Sequence, residues 1–300
     1  MAPHLCVEVP LGGRLAVPSQ TERSEAPTRY AICSVCHGPA APGRLTCWSC
    51  RVAGEQLGPL PPVVPIFLFG LRSPVHRALV DYKAGATAAG RAARAAALTE
   101  MLAAWLDAHA GCLLGRASTT RRALVVPVPS SAGGRPSWRG HHPLEWICEA
   151  AVGDSDRFES AAVLHPGVRP PRRLQASAGG YSLVPPAALR AELSGGAELS
   201  GGAELRGRTV LIVDDMFVSG SRAFSASAAV SRGGGRVAAI VPLGRLVRPD
   251  HNEATAAYWV ARRQLAFDPL LCARCPAARG LVHTSAWQIP SWGVSERLAA

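Results

Sequence analysis

A chain of 300 residues, 48% of them hydrophobic, can bury a sizeable core in one or two domains, which excludes a protein disordered throughout. The formal net charge of +11 favours anionic partners such as phosphorylated small molecules, nucleic acid or acidic lipid surfaces, although an arginine-rich coding bias accounts for it equally well. The longest uncharged apolar stretch, Leu57 to Leu71, is interrupted by Pro59, Pro61, Pro62 and Pro65 and cannot span a bilayer as a helix. Residues 1–20 lack the pattern of a signal peptide, so a cytoplasmic protein with no membrane contact is expected.

Residues 1–30 read as a loosely packed leader rich in Pro, Ser, Thr and charge. Cys33 and Cys36 then form one CxxC, and Cys47 and Cys50 a second, ten residues later. Each such turn points two thiolates at one centre, and two turns complete a tetrahedral site. Residues 31–62 are therefore expected to form a four-cysteine ribbon around a structural zinc, with Gly38, Pro39, Pro42 and Gly43 in the connection. A proline-rich hinge, Gly58 to Pro65, follows.

An α/β region is expected over residues 63–250. Ala123–Val128, Thr209–Val213 and Arg236–Val241 are apolar runs of the kind that form buried parallel strands, and Ala161–Leu164 is a shorter candidate. Between them, Leu98, Met101, Leu102, Trp105, Leu106 and His109 share one helix face. Leu144, Ile147, Cys148 and Ala151 repeat the pattern, as do Phe224, Ala228 and Ser231. Strands alternating with helices predict a doubly wound parallel sheet. AELSGG at 191–196 recurs at 197–202 and again in part at 203–208, and the span 185–208 reads as a loop insert. Residues 251–300 form a C-terminal extension with a lone pair, Cys272 and Cys275. His283 is a possible third ligand there, but a single CxxC is a weak metal signal and plain thiols are favoured.

The segment Val210 to Arg222, VLIVDDMFVSGSR, carries the chemistry. Four apolar residues build a strand, and Asp214 and Asp215 stand at its carboxyl end. The turn Val218-Ser219-Gly220-Ser221 then leads into a helix. Ligands of open α/β sheets bind at the carboxyl ends of strands. Gly220 permits close backbone approach, and helix-start N–H groups with the Ser219 and Ser221 hydroxyls suit a phosphate. The two carboxylates suit ribose hydroxyls or Mg²⁺.

This thirteen-residue segment resembles the phosphoribosyl pyrophosphate (PRPP) motif of type I phosphoribosyltransferases. Three further features are similar to the ComF-like branch of that family. They are the four-cysteine ribbon, the helix VHRALVDYKAG with Tyr82 and Lys83, and the strand VPVP followed by an arginine-rich loop ending in Arg139-Gly140. The resemblance covers about residues 31–248. It implies a type I phosphoribosyltransferase-like parallel sheet with helices on both faces behind a zinc ribbon. It also implies transfer of phosphoribosyl from PRPP, with Mg²⁺, to a nitrogenous acceptor.

Such transfer expels pyrophosphate through an oxocarbenium-like transition state, so positioning and charge stabilisation dominate. Asp214, Asp215, Arg135 and Arg139 are the expected catalytic residues. Val218, Ser219, Gly220, Ser221, Arg222 and Lys83 are the expected PRPP-binding residues. Arg172 and Arg173 could belong to a mobile cover, Trp138 reads as packing, and His142 reads as a helix start. The loop departs from the family in Val218 and Arg222, which stand where threonines are usual, and in Ser219, which keeps a hydroxyl. Two alternatives follow from the same resemblance: a protein acting with single-stranded DNA in uptake or recombination, and a regulator that binds PRPP without turnover.

Overall fold

The computed structural model describes residues 30–115, 121–129, 142–166, 171–172, 174–183, 205–263 and 272–275. Five strands form the central parallel sheet in the order β3-β9-β8-β4-β5. They are β3 (Phe67–Phe69), β4 (Ala123–Pro127), β5 (Phe158–Ser160), β8 (Thr209–Phe217) and β9 (Arg236–Leu246). The α/β class expected from the sequence is the observed one.

The pleat explains how one sheet carries two cores, because successive strand residues face opposite sides. Ala123 and Val125 of β4, with Leu211 and Val213 of β8, join one core with α2 (Pro74–Ala84), α3 (Ala88–Leu114) and α4 (Pro143–Val152). Leu124, Val126, Val210 and Ile212 face the other way. There they meet α5 (Ser221–Arg232) and α1 (Trp48–Leu57). Every residue of β4 is buried, which is why it reads as a continuous apolar run. Among the described residues no helix is long and apolar enough to cross a membrane.

Three expectations need correction. The stretch expected to be a proline-rich hinge runs along β9 instead: Ile240 N donates to Pro62 O, and Val64 N to Ile240 O. With β3 it forms the edge of the sheet, where a proline's missing N–H leaves no ladder bond unmade. The predicted strand Ala161–Leu164 is displaced; the edge strand is β5, and Leu164 starts a separate hairpin, β6 (Leu164–Pro166) with β7 (Tyr181–Leu183). The helix expected around Phe224 forms, but Ala228 is only half-buried and Ser231 is exposed. Its buried side instead includes Ala223, Phe224, Ala226 and Val230.

The ribbon begins with the hairpin β1 (Ala31–Ile32) and β2 (Pro39–Ala40). Cys33, Cys36 and Cys50 are buried in the same core as Val63, Leu124 and Ile240, so the ribbon packs directly on the sheet. A last helix, α6 (Glu253–Arg263), docks on it through Tyr258, whose hydroxyl donates to His37 O at 2.8 Å. The repeat insert falls outside the described residues except for its last four, 205–208.

Candidate functional site

β4 continues through α4 to β5 on one side, and β8 continues through α5 to β9 on the other. The two helices lie on opposite faces. The sheet therefore has its topological switch point between β4 and β8, the place where open α/β sheets leave a crevice at their carboxyl edge. β4 ends its pairing with β8 at Pro127–Val213. β8 runs on beside β9 as far as Phe217. Asp214 and Asp215 occupy this overhang, past the end of the β4 pairing.

Adjacent strand residues point to opposite faces, and the two acids do so. Asp215 turns toward α2, where Tyr82 donates its hydroxyl to Oδ2 at 2.9 Å and Lys83 forms an ion pair with the same oxygen. Asp214 turns toward α5, where Arg222 Nη2 lies 3.7 Å from Oδ1. Both acids are buried. Their oxygens also close small backbone rings: Asp215 N donates to Asp214 Oδ1, and Met216 N to Asp215 Oδ1.

The two environments split the acids. Burial pushes Asp214 up to about 7; Arg222 opposes this, and the neighbouring Asp215 charge adds to it. Burial would raise Asp215 as well, but Lys83, Arg222 and the Tyr82 hydroxyl outweigh it and hold that carboxyl down at about 2. Burial also works against the charge on Arg222, yet Asp214 and Asp215 keep it above its ordinary value. The Arg222–Asp214 attraction acts on both partners alike; Asp214 stays raised because its burial outweighs that attraction, whereas Arg222 gains from both carboxylates. Burial and the Asp215 charge raise the Tyr82 phenol, keeping it a proton donor.

The loop turns at Gly220, whose φ of 80° is left-handed. A Cβ there would come within 2.4 Å of the Phe217 ring and 2.6 Å of the Phe224 ring, so only glycine fits. Ser219 Oγ and Ser221 Oγ stand 3.0 Å apart at the start of α5. Val218 is exposed. Val218 and Ser219 border a cleft of ≈ 1420 Å³ whose other wall is the ribbon, from Pro39 to Arg51, and the chain after β9. Asp214 and Asp215 lie outside its lining.

Lys83, Asp214, Asp215 and Arg222 are thus brought together, and Ser219, Gly220 and Ser221 adjoin them. Arg135, Arg139, Trp138 and Arg173 lie outside the described residues. Arg172 is exposed and pairs with Gln175. His142 caps α4: its Nδ1 accepts from Leu144 N, and Glu145 closes the capping box. Burial lowers its pKa to about 4, against the Asp215 charge and with help from Lys83 and Arg222, so the ring is neutral at pH 7.

The four ribbon sulfurs lie within 4.8 Å of one another, with Cys36 and Cys47 3.6 Å apart, and this donor set could bind zinc. Local structure explains the convergence. Cys33 N donates to Gly38 O and His37 N to Cys33 O, which rolls the first CxxC into a knuckle, with His37 at a φ of 52°. Cys47 occupies the N-cap position of α1 and Cys50 sits in its first turn, where the helix dipole favours thiolates.

Sequence reasoning missed Arg245. Its side chain enters the core under the ribbon from β9, with the guanidinium 5.1 Å from the centre of the Phe217 ring. Burial opposes its charge, but Cys36, Tyr258, Cys47 and Cys50 hold it above its ordinary value. A Cβ at Gly38 would lie 2.0 Å from its Nη2, so that glycine is what admits the cation. Its place in an apolar strand carried no local signal.

The chain matches no family model and no curated protein, so the functional reading rests on the geometry of the site.

Proposed function

We propose that the chain is a ComF-like, phosphoribosyltransferase-type protein that binds PRPP at the carboxyl edge of β8. The observation that carries this reading is the placement of two buried acids at the switch point between β4 and β8, one turned to each face, directly before a left-handed Gly220 and the start of α5. On this reading the 5′-phosphate sits against the backbone N–H groups after Gly220, with help from Ser219 and Ser221. Asp214 and Asp215 accept from the ribose hydroxyls. Mg²⁺ accompanies the pyrophosphate; its preference for oxygen ligands fits these carboxylates, reached through water because both already have cationic partners. Lys83 and Arg222 supply positive charge beside the site. Arg135 and Arg139, on the segment after β4, are the proposed pyrophosphate contacts. A structural zinc in the ribbon belongs to the same reading.

A second reading, PRPP binding without turnover, is favoured by two features of the loop. Val218 presents an exposed apolar side chain where the resembled motif has a hydroxyl, and Arg222 is engaged with Asp214.

Calorimetric titration with PRPP and Mg²⁺, followed by pyrophosphate release against a panel of nitrogenous bases, tests both readings. Binding with release supports the transferase, and binding without release supports the sensor. An absence of binding at millimolar PRPP removes both. Salt-sensitive binding of a single-stranded oligonucleotide in that case would favour the DNA-associated alternative, in keeping with the net charge of +11.

A further inference from the structure

Cys272 and Cys275 read in sequence as plain thiols, with His283, which lies outside the described residues, as a possible third ligand; the fold instead brings two other donors to them. His109 and Cys112 sit near the end of α3, three residues apart and so on one helix face. Their donor atoms and the two C-terminal sulfurs all lie within 4.8 Å of one another. Cys112 Sγ is 3.3 Å from Cys272 Sγ and 3.8 Å from Cys275 Sγ, and the latter pair is 3.4 Å apart. Cys275 Sγ is 3.3 Å from His109 Nδ1. A tetrahedral zinc with bonds of about 2.3 Å to sulfur sets its sulfurs about 3.8 Å apart, so the cluster needs only slight expansion to accept the ion.

The surroundings are those of a built site. Cys272 and His109 are buried. Cys275 N donates to Cys272 O at 3.1 Å, so this CxxC is turned as a knuckle. The His109 ring is tilted against Trp105, with centroids 4.7 Å apart, which limits its rotation. Arg274, between the cysteines, donates to Leu113 O at the end of α3 and to Ala238 O on β9.

We infer that His109, Cys112, Cys272 and Cys275 form a second zinc site, structural in role, that fastens residues 272–275 to the end of α3. Four protein ligands close the coordination shell and leave no open position for chemistry. The site is also at the wrong end of the sheet for the PRPP loop. α3 ends just before β4 begins, and β4 runs parallel to β8, so the cluster lies at the amino edge and the Asp214–Gly220 loop at the carboxyl edge. The inference is independent of the function proposed above.

The test is metal analysis of the full chain purified under reducing conditions without chelator. The expected result is two zinc ions per chain, one for each cluster, falling to one in Cys275→Ser and in Cys112→Ser. In the wild-type protein, cobalt substitution should give spectra of two tetrahedral sites with different sulfur content, a readout that does not depend on how the variants fold. One zinc in the wild type, unchanged in Cys275→Ser, overturns the proposal. So does a Cys112–Cys272 disulfide found by alkylation and mass spectrometry of protein prepared without reductant.

Discussion

Arg222, the second residue of α5, reaches back to within 3.7 Å of Asp214 Oδ1, so the cation in the loop is paired with one of the two acids the loop presents. A hydroxyl at that position, as in the resembled motif, would leave Asp214 buried without a cation on its own face. The pairing gives the site a different resting charge from the one its motif suggests.

A pH dependence follows from Asp214. Its folded pKa is raised to about 7, above an unfolded value of about 3.9, so the folded state holds the proton more tightly. The associated stability is fully present below about pH 4 and is lost as pH rises to about 7, beyond which the contribution is flat. Urea unfolding at several pH values between 5.5 and 7.5 should therefore show wild-type stability declining relative to Asp214→Asn. Parallel curves for the two proteins would count against the raised pKa.

Asp215 depends on its partners in the opposite sense. Lys83→Met leaves a buried carboxylate with the Tyr82 hydroxyl as its remaining direct side-chain donor among the described residues, and should cost about 1.5–3 kcal/mol, the scale of hydrogen bonds to charged groups. Tyr82→Phe should cost about 1 kcal/mol. Denaturant midpoints at pH 7 check both, and a Lys83→Met protein as stable as wild type would show the pair to be without net effect.

Gly220→Ala should destabilise the loop twice over. The φ of 80° disfavours a side chain by about 1–2 kcal/mol, and the new methyl would press on Phe217 and Phe224. Thermal unfolding measures the loss. PRPP titration of the same variant should show weaker binding than wild type, because the backbone N–H groups after position 220 would shift.

The double variant Asp214→Asn, Asp215→Asn keeps shape while removing both charges. PRPP affinity should fall by about 1–3 kcal/mol, roughly five- to 150-fold. Unchanged affinity would place the ligand elsewhere.

Gly38→Ala tests the seat of the ribbon. The methyl would overlap the Arg245 guanidinium and displace it from beneath the four sulfurs. Faster release of zinc from the ribbon to a chromogenic chelator is expected, with a lower Tm. Release at the wild-type rate would mean that Arg245 does not stabilise the thiolates.

Much of this molecule was legible locally. β4, β8 and β9 read as apolar runs because each is buried on both faces, and α3 and α4 read from their periodicity. β3 did not, because it is only three residues long and follows a proline-rich stretch that reads as a hinge, a sequence tolerated beside a strand at the sheet edge. The ribbon cysteines were legible because all four ligands lie within one short segment. The second cluster was not: its halves are more than 150 residues apart, and HxxC on a helix is indistinguishable from a core face.

By itself the sequence determined what depends on neighbours along the chain: the strand-acid-glycine-helix order of Val210 to Arg222, the CxxC turns, the His142 cap and the helical faces. Backbone geometry and side-chain periodicity act over a few residues, so these features need no knowledge of the fold. The tertiary structure decided which distant groups meet. The order of the strands set the switch point beside Asp214 and Asp215, and the packing of α2 brought Tyr82 and Lys83 to Asp215 across more than 130 residues. The docking of the ribbon on β9 enclosed Arg245, and the return of residues 272–275 to α3 completed a cluster that neither segment could form alone. Such meetings depend on how whole elements bury their apolar faces, which no local pattern encodes.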